Sequence, residues 1–253
     1  VWAELRSSGK TLFSCQLATH VTVAGEALAV VGTWEEVCYE SDEDVDYLEL
    51  EAFLSDGWRI QKQFLLTKDD NLLLIGDVVL PSKSRAKDAG VDDLCLEQRY
   101  TLADGIKYFG ADEHNEGYLW GEKPEAVVFP LALPEWRVGN REGELTVKQQ
   151  VLSYRVTKGQ HRAVYAPLLF VLSSKAATKE YTWRRLSVAE ELDRQPEDIA
   201  AGFRIQVGKR QWLLYRSLTE FGNRTLLGQN YSSEFAFGEF QEDGTVYEYV
   251  EIE

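Results

Sequence analysis

Hydrophobic and polar residues alternate with a period of two along much of this chain. The alternation is clearest in four runs, at residues 58–66, 200–207, 211–217 and 245–252. A period of two places successive side chains on opposite faces of an extended strand. The pattern therefore predicts β-strands, about fifteen of them, at the spacing that is typical of sandwiches.

Short turn signals separate these runs. They are Asp56-Gly57, Asp69-Asp70-Asn71, Lys158-Gly159, Gly208-Lys209 and Asp243-Gly244. Gly, Asn and Asp accept the positive φ angles that tight hairpins need. We therefore predict that neighbouring strands are antiparallel.

Helix signals are nearly absent from the sequence. The exception is residues 187–194, where Ser187 and Glu190 have the spacing of a capping box and predict about two helical turns in a connector. The sequence thus predicts an all-β fold class. We expect a large antiparallel β-sandwich, of the supersandwich kind, with one short helix.

The chain shows no internal repeat and no low-complexity tract. Three less regular segments, residues 81–90, 110–117 and 134–143, are rich in charge, Gly and Pro, as loops are. All-β folds often exceed about 200 residues as a single unit. We predict one domain over residues 1–253, with a subdivision near 134–143 as the alternative.

The composition allows a substantial core, since 44% of the residues are hydrophobic and 12% are aromatic. The net charge of −15 argues against nucleic acid as a partner, because proteins that bind it usually present a basic surface to the phosphates. Residues 1–126 carry 11 basic and 25 acidic side chains, whereas residues 127–253 carry 16 and 17. The second half is therefore better suited to an anionic ligand.

Nothing in the sequence indicates a membrane partner. No apolar run approaches the roughly 18 residues of a membrane-spanning helix, and residues 1–30 lack the order of a signal peptide. We expect a soluble protein, with cytoplasmic and extracytoplasmic locations both open. The absence of Met, even at position 1, favours a cut through a longer polypeptide at Val1.

The chain has few cysteines and histidines, two residue types that often bind metals or take part in catalysis. The cysteines and histidines are Cys15, Cys38, Cys95, His20, His114 and His161. The cysteines are too widely spaced for metal knuckles or a disulfide framework, which favours free thiols over one disulfide and one free thiol. No two histidines have ligand spacing, so a zinc site could form only through the fold. Motifs for nucleophilic hydrolysis, phosphate loops and dinucleotide binding are absent.

Asp42, Asp44 and Asp46 place carboxylates at alternate positions, a spacing that lets a loop bind Ca²⁺. The loop is not an EF-hand, because its sixth and twelfth positions are Tyr47 and Phe53 instead of Gly and Glu. A solvated acidic turn explains the pattern without a metal. We therefore predict no cofactor, with Ca²⁺ at this loop or Zn²⁺ elsewhere as the alternatives.

The densest group of arginine and aromatic residues lies between Tyr181 and Glu234. Its candidate ligand-binding residues are Trp183, Arg184, Arg185, Arg204, Trp212, Arg216 and Arg224. Arginine forms bidentate pairs with carboxylate or sulfate, and aromatic faces stack on sugar rings, so the group predicts binding of an acidic polysaccharide. In the alternative interpretation these side chains form the solvent-exposed face of a sheet, and the aliphatic parts of the arginines cover the aromatic rings.

Residues 56–77 form a strand, a turn and an apolar strand that ends in Asp. This stretch resembles the β-sandwich of bacterial heparinase II/III-type polysaccharide lyases and of related galactose-mutarotase-like proteins. Four later segments resemble the C-terminal region of heparinase-like proteins, at residues 134–137, 165–170, 182–190 and 211–218. The resemblance spans most of the chain, and its motifs are strands and not catalytic signatures.

The resemblance implies a place beside a catalytic domain. In that family the sandwich follows an α/α toroid, which supplies most of the Tyr, His and Asn groups that perform β-elimination on uronate sugars. The predicted strands and single helix cannot build a toroid, and no catalytic residue of the family can be transferred to a position in this sequence. Zinc occurs in some sandwiches of the family, but this sequence has no matching motif.

We therefore expect a non-catalytic sandwich module of a larger carbohydrate-active protein. It would support a catalytic domain missing from this chain or bind an acidic polysaccharide. One alternative is a free-standing mutarotase-like sugar enzyme with His161 as the candidate catalytic base. Another is an interaction module whose acidic residues 35–51 bind a basic partner.

Overall fold

The computed structural model describes residues 1–86, 90–137, 142–220 and 222–253. In chain order the strands are β1 (Trp2–Ser7), β2 (Lys10–Gln16), β3 (Ala18–Val23), β4 (Glu26–Leu28), β5 (Val30–Ser41), β6 (Val45–Leu54), β7 (Trp58–Thr67), β8 (Leu72–Pro81), β9 (Asp92–Thr101), β10 (Lys107–Gly110), β11 (Gly117–Trp120), β12 (Pro124–Pro130), β13 (Gly143–Lys148), β14 (Val151–His161), β15 (Val164–Val171), β16 (Tyr181–Leu186), β17 (Ala189–Glu190), β18 (Asp193–Arg194), β19 (Ala200–Val207), β20 (Arg210–Ser217), β21 (Arg224–Leu226), β22 (Gln229–Tyr231), β23 (Phe235–Phe240) and β24 (Val246–Ile252). The described residues include one short α-helix, α1 (Lys83–Ala86), and 3-10 turns at Ser55–Gly57 and Ala176–Thr178.

Most strands belong to three antiparallel sheets. The central sheet has eight strands in the order β10-β11-β12-β15-β8-β7-β6-β5. The first outer sheet, β13-β14-β9-β3-β4, covers one face of the central sheet, and the second outer sheet, β16-β19-β20-β23-β24, covers the other. Smaller sheets are formed by β1-β2 and by β18-β17-β21-β22. The predicted all-β antiparallel sandwich is confirmed, and its two halves share the central sheet.

The shared middle layer explains why some strands have continuous apolar sequences. Every residue of β15 is buried. In β12, Val128 belongs to the core on the side of the first outer sheet, and its neighbour Phe129 belongs to the core on the side of the second. A strand whose two faces both meet an apolar core cannot show polar alternation.

A buried ion pair lies between the central sheet and the first outer sheet. Lys62 of β7 and Asp77 of β8 are cross-strand neighbours, with 2.5 Å between Nζ and Oδ1. The hydroxyl of Thr19, in β3, donates to Asp77 at 2.6 Å and accepts from Lys62 at 3.0 Å. The two charged side chains are only 2% and 0% exposed. These three groups therefore connect the two layers.

The second outer sheet is also covered on its far face. Leu226 and Tyr231 of the small four-stranded sheet form a third apolar core with Ala200 and Tyr215 of the second outer sheet. The rings of Tyr215 and Tyr231 stack with their centroids 4.9 Å apart. From Trp212 to Ser217 the residues of β20 are consequently buried whichever face they occupy, which determines the environment of Arg216 described below.

The helix predicted at residues 187–194 is wrong. This segment forms the hairpin β17–β18, in which Glu191 and Leu192 have φ angles of 49° and 75°. Strand β17 also pairs with β21, so pairing within the small sheet supplies the backbone hydrogen bonds that a helix would have made. The isolated capping box does not outweigh this tertiary pairing.

The turn signals were mostly correct. Gly57, Gly208 and Gly244 have positive φ angles at the ends of strands, as predicted. The turn predicted at Lys158-Gly159 is wrong, because both residues lie inside β14 and the positive φ occurs at Gln160. Adjacent strands in each sheet are antiparallel, as expected.

The single-domain interpretation stays a prediction. Residues 138–141 of the alternative boundary and residues 87–89 of the segment 81–90 lie outside the described residues. The central sheet does pair strands from both sides of that boundary, since β12 is adjacent to β15. Within the described ranges, no helix is long and apolar enough to cross a lipid bilayer.

Candidate functional site

A cleft with a volume of about 490 Å³ runs beside β16, which is an edge strand of the second outer sheet. The opposite wall is the segment that follows β12, at residues 132–136. Glu142 and the residues near β18 close the cleft. This volume lies within the range of roughly 300–1,000 Å³ that is usual for small-molecule sites.

Three hydrogen bonds tie the segment after β12 to β16. The indole of Trp183 donates to the carbonyl of Leu133 at 3.4 Å, and the guanidinium of Arg185 donates to the carbonyl of Ala132 at 2.7 Å. The hydroxyl of Thr182 donates to Glu135 at 2.8 Å. These bonds fix the two walls relative to each other and place Trp183 in the floor, where it is fully buried.

Trp136 forms an exposed aromatic rim of the cleft. The residue is 51% exposed, and its ring stands edge-on to that of His114 with the centroids 4.1 Å apart. The two residues are also joined by a backbone bridge. A large aromatic ring that is held in place but open to solvent can stack on a flat apolar ligand surface, such as the face of a sugar ring.

Four charged residues at one end of the cleft neutralise one another. Lys158 forms ion pairs with Glu142 and Glu197, the latter at 3.0 Å. Arg185 also pairs with Glu197. The charges of these two cations and two carboxylates sum to zero.

This cluster affects the titration of Glu197. Burial alone would raise the pKa of its carboxyl group, but the nearby charges of Arg185 and Lys158 outweigh burial and lower the pKa from 4.5 to about 2. The ionised form of Glu197 is thus favoured in the folded protein. Because the folded-state pKa is depressed, the associated stability is present above about pH 4.5 and is lost as the pH falls towards about 2.

We expect Glu197→Gln to lower the free energy of unfolding by about 1–2 kcal/mol at pH 7, since its 34% exposed side chain is partly screened by solvent. The difference between wild type and variant should shrink as the pH falls towards about 2. Urea unfolding at several pH values measures this difference. Glu144→Gln, in an exposed pair with Arg155, is the matched control. A difference that does not change with pH would contradict the assignment.

Two arginines of the cleft are uncompensated. Arg184 and Arg194 are exposed, and within the described part of the chain their side chains make no hydrogen bond or ion pair. Arg184 also lies directly opposite Arg204 of β19 in the sheet register, an arrangement of like charges that is normally unfavourable. Three arginines and three glutamates line the cleft, so its lining is neutral in sum, but Glu142 and Glu197 pair with Lys158, which lies outside the lining, and Arg184 and Arg194 have no such partner among the described residues.

The structure brings together only part of the predicted ligand-binding group. Trp183, Arg184 and Arg185 line the cleft, and Arg204 lies beside Arg184. Arg204 is half-buried and donates to the side chain of Gln206 at 3.1 Å. Ligand binding by these residues stays a prediction.

Trp212 and Arg224 lie elsewhere, and both are buried. Trp212 belongs to the core between the central and second outer sheets, and its indole donates to Asp70 at 3.2 Å. Arg224 donates to the hydroxyl of Ser217 at 2.6 Å and pairs with Glu190 at 3.2 Å. The fold therefore does not bring the seven predicted residues together in one cleft.

Arg216 requires a similar correction. Its side chain is 0% exposed, and its two terminal nitrogens each lie 3.1 Å from an oxygen of Glu49 in β6. It also donates to Gln61 and Glu234 at 2.6 Å. Burial alone would lower the pKa of the Arg216 guanidinium, but Glu49 and Glu234 raise it. Arg216 connects the central and second outer sheets and is not accessible to a ligand.

His161 does not face a sugar-sized cavity. It ends β14 and lines a cavity of about 10 Å³, which is about the smallest space that holds one water molecule. Its Nδ1 lies 2.6 Å from the carbonyl oxygen of Gly159. His20 is exposed on β3, and His114 packs against Trp136. The geometry gives no support to His161 as a base acting on a sugar.

The candidate calcium ligands are engaged in local hydrogen bonds. Asp42 accepts from the backbone amides of Asp44 and Val45, at 2.8 and 2.9 Å. Asp44 accepts from a tyrosine hydroxyl, and Asp46 accepts from Ser41 at 2.5 Å. Among the described residues, no three His, Cys, Asp or Glu side chains are arranged to hold a metal. The three cysteines are free thiols, as the spacing favoured.

Sequence reasoning missed several residues of the cleft. Trp136 lies in the loop-like segment 134–143 and in the segment 134–137 that carries the resemblance, and neither pattern predicts a binding role for it. Arg194 was assigned to the helix that does not form, and Glu197 follows the same segment. The one available signal was a Trp two residues after Pro134 in a predicted loop, because residues on loops often carry binding functions.

Comparisons with known proteins identify a related fold. No protein-family model matches the sequence, and no curated protein sequence matches it. The heparan sulfate lyase HepC from Pedobacter heparinus is similar in structure, with a TM-score of 0.51 and 12% identity over 78% of this chain and 30% of the lyase chain. The structure described as "Heparinase III-BT4657 gene product" has a TM-score of 0.48 and 10% identity over the same shares.

This chain therefore spans about 30% of the length of these solved structures. At 12% identity the likeness to HepC shows the fold alone. The resemblance to heparinase-type sandwiches is confirmed at that level, as a distant relationship of fold.

Proposed function

We propose that this chain is the sandwich module of a larger carbohydrate-active protein and that its cleft beside β16 binds an acidic polysaccharide. The observation that carries the proposal is the position of two unpaired arginines, Arg184 and Arg194, in a cleft that also presents the exposed ring of Trp136. The fold likeness supports the class of module, and the cleft supports the class of ligand.

Each feature of the cleft has a role in this proposal. Arg184 and Arg194 provide planar guanidinium groups, which pair with carboxylate or sulfate through two parallel hydrogen bonds. Trp136 provides a surface on which a sugar ring stacks. The edge strand β16 adds backbone donors and acceptors that no other strand of the described residues occupies. The ligand is recognised by charge at one point and by apolar contact at another.

The neutral cluster contributes to this selectivity. Lys158 holds Glu142 and Glu197, so these carboxylates do not cancel the charges of Arg184 and Arg194. Arg185 is fixed by Glu197 and by the carbonyl of Ala132, which keeps its stem along the cleft wall. The cleft therefore has a rigid end and two arginines, Arg184 and Arg194, that are available to an anionic ligand, although the whole chain carries a net charge of −15.

The test is calorimetric titration with polygalacturonate, and with neutral dextran as the comparison ligand. We expect polygalacturonate to bind with an affinity that falls as salt rises, because exposed charges are screened. Arg184→Gln/Arg194→Gln should weaken binding about tenfold or more, since each charge-assisted hydrogen bond contributes about 1.5–3 kcal/mol. Trp136→Ala should also weaken binding, with a smaller change in salt dependence.

The matched control is Lys107→Gln/Lys123→Gln, which removes two exposed positive charges from the central sheet and an adjacent loop. It should leave binding unchanged. Equal weakening by both double variants would indicate attraction to the surface as a whole. No binding of polygalacturonate, or equally tight binding of dextran, would refute an acidic ligand.

A further inference from the structure

Strand β5 is an unusually exposed edge of the central sheet. It is 12 residues long, and not one of its residues is fully buried. It pairs with β6 along one side and is the last strand in the order of the eight-stranded sheet. The other side of β5 therefore carries backbone amides and carbonyls that no strand of the described chain occupies.

The surface of β5 combines apolar and acidic side chains. Val31, Val37 and Tyr39 are between 49% and 58% exposed. Two register shifts interrupt its pairing with β6, and the last regular run covers residues 38–41. A regular stretch of this length, next to exposed apolar side chains, is the kind of edge to which an additional strand pairs.

Charge restricts what that strand can be. Glu35, Glu36 and Glu40 lie on β5 and make no side-chain hydrogen bond or ion pair within the described residues. A second copy of β5 would bring the same three carboxylates against its own, and like charges on adjacent strands are destabilising. A partner strand with positive side chains would instead lie beside these three carboxylates, which are of opposite charge.

We propose that β5 is a docking edge for an extended basic segment of a partner protein, which adds as a ninth strand to the central sheet. Backbone hydrogen bonds to β5 provide the attachment, and pairing with Glu35, Glu36 and Glu40 selects a basic sequence. Val37 and Tyr39 pack against the apolar side chains of the incoming strand. This surface is separate from the cleft beside β16, so its test is independent of the proposed polysaccharide site.

The experiment measures binding of a synthetic peptide of alternating Lys and Val to the full chain by fluorescence anisotropy. We expect saturable binding that weakens as salt rises, and slower hydrogen exchange at the amides of residues 35–41. Glu35→Gln/Glu36→Gln/Glu40→Gln should weaken binding about tenfold or more. The control Asp104→Asn/Asp112→Asn/Glu122→Gln removes the same charge from exposed loops and should leave binding unchanged.

Two further probes separate strand addition from simple attraction. The same peptide with alternate backbone amides methylated keeps its charge but cannot form a full strand ladder, so we expect it not to bind. Binding that survives methylation, or that both triple variants weaken equally, would overturn strand addition. Failure of the unmodified peptide to bind would overturn the proposal. Self-association of the chain through β5, detected by sedimentation, would assign the edge to a second copy instead.

Discussion

Arg216→Ala is expected to lower the free energy of unfolding by about 3–5 kcal/mol, because it leaves Glu49 buried without its cation. The guanidinium is fully excluded from solvent and bonds to Glu49, Gln61 and Glu234. No other cation in the described residues pairs with Glu49. The loss should be visible as a lower urea midpoint in equilibrium unfolding followed by tryptophan fluorescence.

Arg155→Ala is the matched control, because Arg155 and its partner Glu144 are each 48% exposed. Exposed pairs contribute about 0–1 kcal/mol, so this variant should unfold almost like wild type. The double variant Arg216→Ala/Glu49→Gln should regain part of the lost stability, because it also removes the unpaired buried charge of Glu49. If Arg216→Ala costs no more than the control, the guanidinium does not hold the two sheets together.

Lys62→Met should destabilise the protein by a similar amount, about 3–5 kcal/mol, on the other side of the central sheet. Methionine fills the space of the lysine stem but leaves the carboxylate of Asp77 buried, with the hydroxyl of Thr19 as its one remaining polar side-chain partner among the described residues. Urea unfolding measures the change. Far-ultraviolet circular dichroism in the absence of urea establishes that the variant still folds.

The control for this prediction is Lys68→Met, whose ion pair with Asp46 is open to solvent on both sides. Its expected cost is below about 1 kcal/mol. Lys62→Met/Asp77→Asn should be more stable than Lys62→Met alone, because asparagine carries no charge to bury. A double variant that is less stable than the single variant would show that Asp77 contributes independently of Lys62.

Much of the fold follows from the sequence. The alternation at residues 200–207 coincides with β19, because this strand is long, bounded by turn residues and apolar on the face that meets the core. Strands β17 and β18 have two residues each, which is too short for any period to appear. The sequence therefore predicts the long strands and the sandwich, and it misses the small sheet.

The third layer was not predictable from periodicity. A strand that is buried on both faces, such as β15, has the same continuous apolar run whether it lies in a two-sided sheet or in a buried helix. Only the pairing of distant segments shows that one central sheet serves two cores. The same limitation explains why the number of sheets could not be counted from the sequence.

The candidate site was predicted in part for a related reason. Arg184 and Arg185 are adjacent and both line the cleft, so composition alone located them. Arg216 has the same local character, but its partner Glu49 is 167 positions away, and β20 is covered on both faces. Whether an arginine binds a ligand or stabilises a core depends on such distant partners, which a local pattern does not contain.

The most direct measurement of the proposed function is hydrogen–deuterium exchange of the full chain, with and without a short galacturonate oligomer. The account predicts slower exchange in residues 132–136 and in the free edge of β16, with no change in the Arg184→Gln/Arg194→Gln variant. Slower exchange confined to another surface, or an unchanged pattern at saturating oligomer, would contradict the assignment of the cleft as the polysaccharide site.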